Sequence, residues 1–367
     1  MSIALLSACL SLALDPGHKD AVRAQFAAPG FDGLSLMALA NAQKVSPALL
    51  PALRRHGIED ALPTDLAAYL ALLLESNAAR NRRLAAQCRA VGKILAAAGL
   101  EAVLLKGACW LFTGGAEAED RLIVDIDLLL PHAAMSNAVA ALVAAGYQDT
   151  TDQFEEPDHF HYAPLLPAPA PGGSLASLEL HRDLGWQRHL LPAEEVLHAA
   201  RPVASDLLLP SPEHRLLHNI LHAQHQDAGW AGGVIRLRDL LDAARLLATG
   251  LDVGMLADWM HRHQKRHLLT GTLHLAHRLL AAPVPPPLHP SWPARLHTAR
   301  CLAQARSRHA AWLGERLAIL VRGFMWERDV YGMESNTGLL ARHRQVMRRR
   351  WARIRRRTGL MQRDVTL

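Results

Sequence analysis

The run Ile123–Leu130, IVDIDLLL, carries two carboxylates at a spacing of two inside an otherwise apolar octapeptide. Successive strand side chains point to opposite faces, so Asp125 and Asp127 would share one face while Val124, Ile126 and Leu128 take the other. Two acids held side by side among apolar residues repel each other and need a compensating cation, and hard oxygen ligands at this spacing suit Mg²⁺. Glu179 repeats the pattern in Leu178-Glu179-Leu180-His181, between two leucines. Three carboxylates on neighbouring strands are the ingredients of a metal-assisted phosphoryl or nucleotidyl transfer site. Taken alone, the two aspartates fit equally a half-exposed strand that faces water.

The surroundings narrow the reading. Glu101–Leu105 is a short strand-like run, broken by Lys106-Gly107, and Ala108–Phe112 starts a helix. Glycine permits close backbone approach and a helix N-terminus favours anions. Lys106 and Arg121 add positive charge suited to a triphosphate. Ala133–Ala145 reads as a helix closing at Gly146, and Tyr147–Asp149 as a possible strand start. Phe160–Leu166 and Ser177–His181 read as strands around the Pro/Gly-rich loop 167–174.

Helical periodicity governs the flanks. Leu34–Ala40 and Pro47–Arg55 are short apolar-periodic segments, and a long helix is expected from an N-cap at Thr64 to about Ala98, ended by Gly99. After Pro192 the chain reads as helical again, most clearly over Pro212–Gln226 and Arg236–Ala248. A proline run at 283–287 forms a rigid turn or linker, helices follow over 293–325, and a basic helix over 340–357. The expected fold class is α+β: a core with a small mixed β-sheet between N-terminal and C-terminal helical regions. The divisions are 1–98 (helical), 99–190 (core), 191–290 (helical, completing the cleft) and 291–367 (terminal helices with an Arg-rich tail).

Half of the residues are hydrophobic, enough for a large core and incompatible with global disorder. Cys9, Cys88, Cys109 and Cys301 lie far apart without a CxxC, which argues against a disulfide scaffold or a thiolate zinc site and fits a reducing compartment. Met1–Leu14 is apolar but lacks a basic start, so it reads as a buried first helix, with a signal peptide as the alternative. Without a transmembrane segment, a soluble cytoplasmic protein is expected. The formal charge of +6 is a tail property: ten arginines stand against two acids from Gly332 onward, so the rest of the chain sums to −2. Leu340, Met347, Trp351 and Ile354 make one apolar stripe there. The tail reads as a solvated terminal helix, as a docking site for an acidic partner or RNA, or as a membrane-surface helix.

The motifs LLKGACWLFTGG, Arg121 before DIDLLL, LVAAGY and LELH together resemble the nucleotidyltransferase-fold proteins often described as uncharacterised nucleotidyltransferases, within the DNA polymerase beta-like nucleotidyltransferase superfamily. The matching positions are Lys106, Gly107, Arg121, Asp125, Asp127, Gly146, Tyr147, Glu179 and His181. The likeness extends over roughly 30–250, through Asn77, Arg80 and Asn81 before the core and His222 and Asp239 after it. Two departures stand out. Lys106-Gly107-Ala108 replaces the Gly-Ser of the broader superfamily, and Arg182 stands where an aromatic often follows Glu-Leu-His, with Trp186 four residues on.

The resemblance implies a nucleotidyltransferase-fold core and an enzyme that transfers a nucleoside monophosphate, AMP foremost, from an NTP to a hydroxyl of a peptide, protein or small molecule. Asp125, Asp127 and Glu179 would bind Mg²⁺ or Mn²⁺, with Glu179 alternatively acting as base. Lys106, Gly107 and Arg121 would hold the nucleotide. His181, His222, Asp239 and Arg182 would face or support the acceptor. By analogy with relatives beside peptide natural-product genes, a bacterial peptide-tailoring role is implied. An RNA-modifying enzyme using the tail, or a silent nucleotide-binding regulatory partner, are the rival readings.

The histidines carry milder expectations. His214, His218, His222 and His225 fall on one helix, as a packing and substrate-facing stripe or a zinc site. His159 and His161 share a strand face as a polar acceptor surface or a metal pair. His181 would orient Glu179. Asp239 would pair with Arg236 or hold a helix–helix contact.

Overall fold

Apolar periodicity builds the first hundred residues entirely from helices. In the computed structural model, which describes residues 3–151, 159–168, 176–204, 206–307, 309–314 and 316, these are α1 (Ile3–Ser11), α2 (Lys19–Phe26), α3 (Gly33–Ala42), α4 (Ser46–Arg54) and α5 (Thr64–Ala97). The first helix is buried as expected, with Leu6, Cys9 and Leu10 wholly inside. The start of α5 differs from expectation. Thr64 is the first helical residue, Pro63 holds the cap position, and no side chain caps the helix. The Pro63 carbonyl nevertheless accepts the first helical bond, from Ala67. At the other end Gly99 takes φ +71°, and Leu100 N–H reaches back to Leu95 O at 3.0 Å, a left-handed stop that glycine permits without strain.

The sheet begins with β1 (Ala102–Leu104), followed by a 3₁₀ segment Lys106–Phe112, α6 (Glu117–Asp120), β2 (Ile126–Leu129), α7 (Met135–Ala144) and β3 (Leu178–His181). The segment after Lys106 is therefore 3₁₀ rather than an α-helix. Phe160–Leu166 does not form a regular strand either. It meets its neighbours through single bridges, His161 to His181, Leu165 to Leu178 and Leu166 to Gln148. Most of the Pro/Gly-rich loop lies outside the described residues.

Beyond Pro192 the all-helical expectation fails. After α8 (Ala193–Ala199) come two further strands, β4 (Arg201–Ala204) and β5 (Leu207–Leu209). The five strands run in the order β3-β2-β1-β5-β4, with β1–β2 and β4–β5 antiparallel and β2–β3 and β1–β5 parallel. The sheet is small and mixed, and helices flank it, so the chain has an α+β fold. Pro202 in β4 is tolerated because β4 is an edge strand, where a missing N–H breaks no ladder.

Helices complete the structure: α9 (Pro212–Ile220), running on into a π-helical turn Leu221–Gln226, then α10 (Gly229–Gly232), α11 (Leu237–Leu247), α12 (Val253–His263), α13 (Arg266–Leu280) and α14 (Trp292–Arg306). The expected basic helix over 340–357 lies outside the described residues. No helix among the described residues is long and apolar enough to cross a membrane.

Both sheet faces are covered, which is why β2 is buried at all four positions. Ile126, Leu128 and Leu130 pack with Leu84, Cys88, Val91 and Leu95 of α5 and Leu142 of α7. Val103 and Leu129 face the other way, into the core shared with α9 and α11. Gly92 lets α5 lie closely on the sheet, since a Cβ there would stand 2.9 Å from the Leu207 side chain. Asp127, two residues from Leu129, thus points toward the C-terminal helices.

Candidate active site

Parallel pairing of β2 and β3 sets Asp127 directly opposite Glu179, and Leu129 opposite His181. Their side chains converge: one ligand atom each from Asp127, Glu179 and His181 lies within 4.8 Å of the others, the one such group found among the described residues. Asp125 is not part of it. The strand starts only at Ile126, so the two aspartates do not share strand geometry, and Val124 is 54% exposed rather than packed on the opposite face. Asp125 remains close enough for charge to act on it. Burial and the charges of Asp127 and Glu179 push its carboxyl up from the ordinary value.

Asp127 is the centre of the cluster and is wholly buried. Its Oδ1 accepts from Lys106 Nζ at 2.6 Å and from His181 Nε2 at 2.8 Å. Burial would raise this carboxyl, but the Lys106 charge and the His181 hydrogen bond prevail and hold it well below the usual carboxylate range. His181 was expected to orient Glu179; it lies 3.7 Å from Glu179 Oε2 and makes its short contact with Asp127 instead. Its Nδ1 faces the Asp183 carbonyl at 3.3 Å. Carboxylate and carbonyl oxygens thus face both ring nitrogens, an arrangement that favours the protonated form. Burial disfavours that form, and the Asp127 and Glu179 carboxylates outweigh burial, so the pKa rises.

Lys106 reaches the cluster from the start of the 3₁₀ segment, where its backbone takes φ +45°, a conformation disfavoured for a side-chain-bearing residue. The left-handed residue of the Lys-Gly turn is therefore the lysine. Gly107 is buried, and a Cβ there would touch Ile123 at 3.4 Å.

A divalent cation fits these residues. Asp127 Oδ2 is buried and has no hydrogen-bond partner, although Oδ1 of the same carboxylate has two. An orphaned buried carboxylate oxygen beside a second carboxylate suits a hard cation. The His181 nitrogen is engaged by Asp127 and serves to orient that ligand.

The segment leading into Asp125 is fastened from two sides. Asn77 and Asn81 of α5 donate to the carbonyls of Glu119, Ala118 and Arg121, and Arg80 donates to the Ile123 carbonyl. From the C-terminal side, α11 supplies two buried ion pairs. Arg121 Nη2 lies 2.9 Å from Asp242 and Arg245 Nη2 lies 2.7 Å from Asp120. An Asp-Arg dipeptide thus meets an Asp and an Arg three residues apart, each base facing the other's acid. Sequence reasoning missed Asp120, Asp242 and Arg245. Their only local signal is the i, i+3 spacing on an amphipathic helix.

A cleft adjoins the cluster, lined by Lys106, Trp110, Arg121 and residues of α9 and α11. His222 and Asp239 both line it. Asp239 pairs with Arg238 at 3.0 Å, not with Arg236, which binds Asp227 instead; the register of α11 puts Arg236 before the helix and turned toward the π-helical turn. His222 Nδ1 stands 3.5 Å from Asp227, and burial pulls its pKa down to about 4, so it is neutral near pH 7. Four histidines occur on α9 and its extension without converging on ligand geometry. Arg182 is tied through its backbone N–H to the Phe160 carbonyl at 3.0 Å, and it does not line the cleft. His159 and His161 stack edge to face at 4.0 Å, and His159 meets Trp186 at 5.0 Å, forming an aromatic group beside β3.

A mixed sheet with a buried acid–histidine group at its parallel edge, closed over by C-terminal helices, defines a nucleotidyltransferase-type protein with a site that could hold a metal ion. The chain belongs to the family of uncharacterised nucleotidyltransferases, whose model matches residues 29–281. No curated protein and no solved structure matches the chain.

Proposed function

We propose that this chain is an enzyme that transfers a nucleoside monophosphate, AMP foremost, from an NTP to a hydroxyl of a peptide, protein or small-molecule acceptor. The observation that carries the reading is the juxtaposition of Asp127 and Glu179 across parallel strands, with Asp127 Oδ2 left unpartnered. Asp127 and Glu179, with Asp125 at the strand entrance, would hold Mg²⁺ or Mn²⁺, which when bound neutralises triphosphate charge and favours loss of pyrophosphate.

The chain's own part is positioning and charge. Lys106 stands between the acids and the cleft, where its ammonium can pass from Asp127 to a phosphate oxygen. Gly107 follows Lys106 in the turn, with Ile123 filling the space a side chain would take. Arg121, committed to Asp242, contributes by fixing the segment before Asp125. His181 keeps Asp127 ionised and oriented. Glu179, the more exposed of the two paired acids, can accept the proton of the acceptor hydroxyl as it attacks the α-phosphorus. His222, Asp239 and Arg182 are supporting or acceptor-side positions in this scheme. Such a reaction belongs in the cytoplasm, where NTPs are available and four free, buried cysteines stay reduced. A tailoring role in bacterial peptide biosynthesis is the context proposed.

The test is incubation of the protein with each α-labelled NTP, Mg²⁺ and a panel of acceptors. Label transfer by the wild type and its loss in Asp125→Ala/Asp127→Ala is expected. No transfer by the wild type would point to a silent binding protein, and a double variant that transfers label as the wild type does would overturn the role given to Asp125 and Asp127. A salt-dependent shift of RNA that disappears on deletion of 340–367 would favour the RNA-modifying reading.

A further inference from the structure

One face of α9 is turned to the cleft. Arg215, His218, Asn219 and His222 follow at spacings of three and four and all line it, together with Lys106 and Trp110. The cations around this cleft are not equivalent. Lys106 is paired with Asp127, Arg121 with Asp242 and Arg238 with Asp239. Arg215 forms no ion pair among the described residues. Its guanidinium lies over the Trp110 ring, with Cζ 4.3 Å from the centroid, and its Nη2 is buried without an acceptor. A guanidinium held over an indole face can turn its N–H edge to an anion.

Further buried atoms of α9 at this cleft lack hydrogen-bond partners, among them His218 Nε2 and Asn219 Oδ1. The Asn219 amide is oriented, since its Nδ2 donates to the Asp239 carbonyl at 3.1 Å, and that leaves Oδ1 as an acceptor. The face therefore presents a charged donor and a neutral acceptor a single turn apart. Their complement is a ligand with anionic oxygens and a hydroxyl, which is the chemistry of a phosphorylated sugar.

We infer that Arg215 is the anion-binding guanidinium of this cleft and that the cleft takes the polyphosphate of a nucleoside triphosphate, with Asn219 Oδ1 accepting from a sugar hydroxyl. The assignment rests on the nucleotidyl-transfer reading for the identity of the ligand. It moves the phosphate contact from Arg121, whose guanidinium is already bound by Asp242, to a residue on the C-terminal helices. Lys106, which touches both cleft and acids, would then lie between the polyphosphate and the cluster.

The test is calorimetric binding of inorganic tripolyphosphate and of ATP to the full-length protein. Both should bind, and Arg215→Gln should weaken tripolyphosphate about tenfold or more, the usual cost of losing a charge-assisted contact. Arg215→Lys should fall between, because it keeps the charge and loses the planar fork; it carries the test if the glutamine variant does not fold. Asn219→Leu, which removes the acceptor, should weaken ATP while leaving tripolyphosphate affinity unchanged, with a melting curve typical of folded protein. Wild type that fails to bind tripolyphosphate, or an Arg215→Gln protein that binds it within twofold of wild type, overturns the assignment. Label transfer combined with that unchanged affinity would keep the nucleotidyl reading and remove this one. Arg215-dependent binding with no transfer to any acceptor would do the reverse.

Discussion

His181 Nε2 on β3 donates to Asp127 Oδ1 on β2 across 2.8 Å, and both side chains are shut away from solvent. With Lys106 on the same oxygen, the buried carboxylate is matched by an ammonium and an imidazole N–H. The arrangement keeps Asp127 ionised in a place where burial alone would protonate it.

Asp127→Asn keeps the shape and removes the charge, so the Lys106 ammonium and the His181 ring would face a neutral amide. Breaking one side of a buried ionic network costs about 3–5 kcal/mol. Urea unfolding of the metal-free protein should show a loss of that order. A gain in stability would mean that repulsion between Asp127 and Glu179 dominates the cluster.

Arg121 and Asp242 join the β2 approach to α11 through a bidentate, buried pair. Arg121→Gln and Asp242→Asn should each lower the thermal midpoint, and the double variant should lose little more than either single one, because the second change removes a group already unpaired. Additive losses would show that the two residues do not act as a pair.

His297 stacks on Trp230 at 3.7 Å and is buried, and burial with the Arg300 charge pulls its pKa down to about 3. In the unfolded chain the imidazole titrates near 6.5, so above that pH it is neutral in both states. As the pH falls from about 6.5 toward 3, the unfolded state takes up the proton first and stability is lost, at up to about 1.4 kcal/mol per pH unit. His297→Gln removes this contribution. Stability curves of wild type and variant measured from pH 7 to pH 5 should therefore converge as the pH falls. Parallel curves would exclude the linkage.

Gly92 lies inside α5, where alanine is the better helix former by about 1 kcal/mol. Its added Cβ would meet Leu207 at 2.9 Å and the Asp206 carbonyl at 3.1 Å. Overpacking of this kind costs about 1–3 kcal/mol, so Gly92→Ala should destabilise the protein in spite of its propensity. A higher urea midpoint would mean that α5 can shift away from β5 freely.

The sequence by itself determined the pieces whose code is local. A period of three to four residues marked α3, α4, α5, α7, α9 and α11, and alternation within LELH placed Glu179 and His181 on one strand face. Apolar neighbours put Asp127 and Glu179 on the strand faces opposite the leucines without deciding whether those faces meet water or protein, and burial of Asp127 came only with the covering helices. Strands β4 and β5 were not legible. The four residues of β4 include Pro202 and do not alternate, and β5 is a three-residue leucine run without a period.

Only the tertiary structure decided the partners. It starts β2 at Ile126 and so sets Asp125 apart from the cluster, it gives Lys106 and His181 to Asp127, and it commits Arg121 to Asp242, 121 residues away. Side-chain direction follows from neighbours along the chain, whereas the partner of a charge is chosen by desolvation: a buried ion settles on whichever counter-ion packing carries to the same dry place.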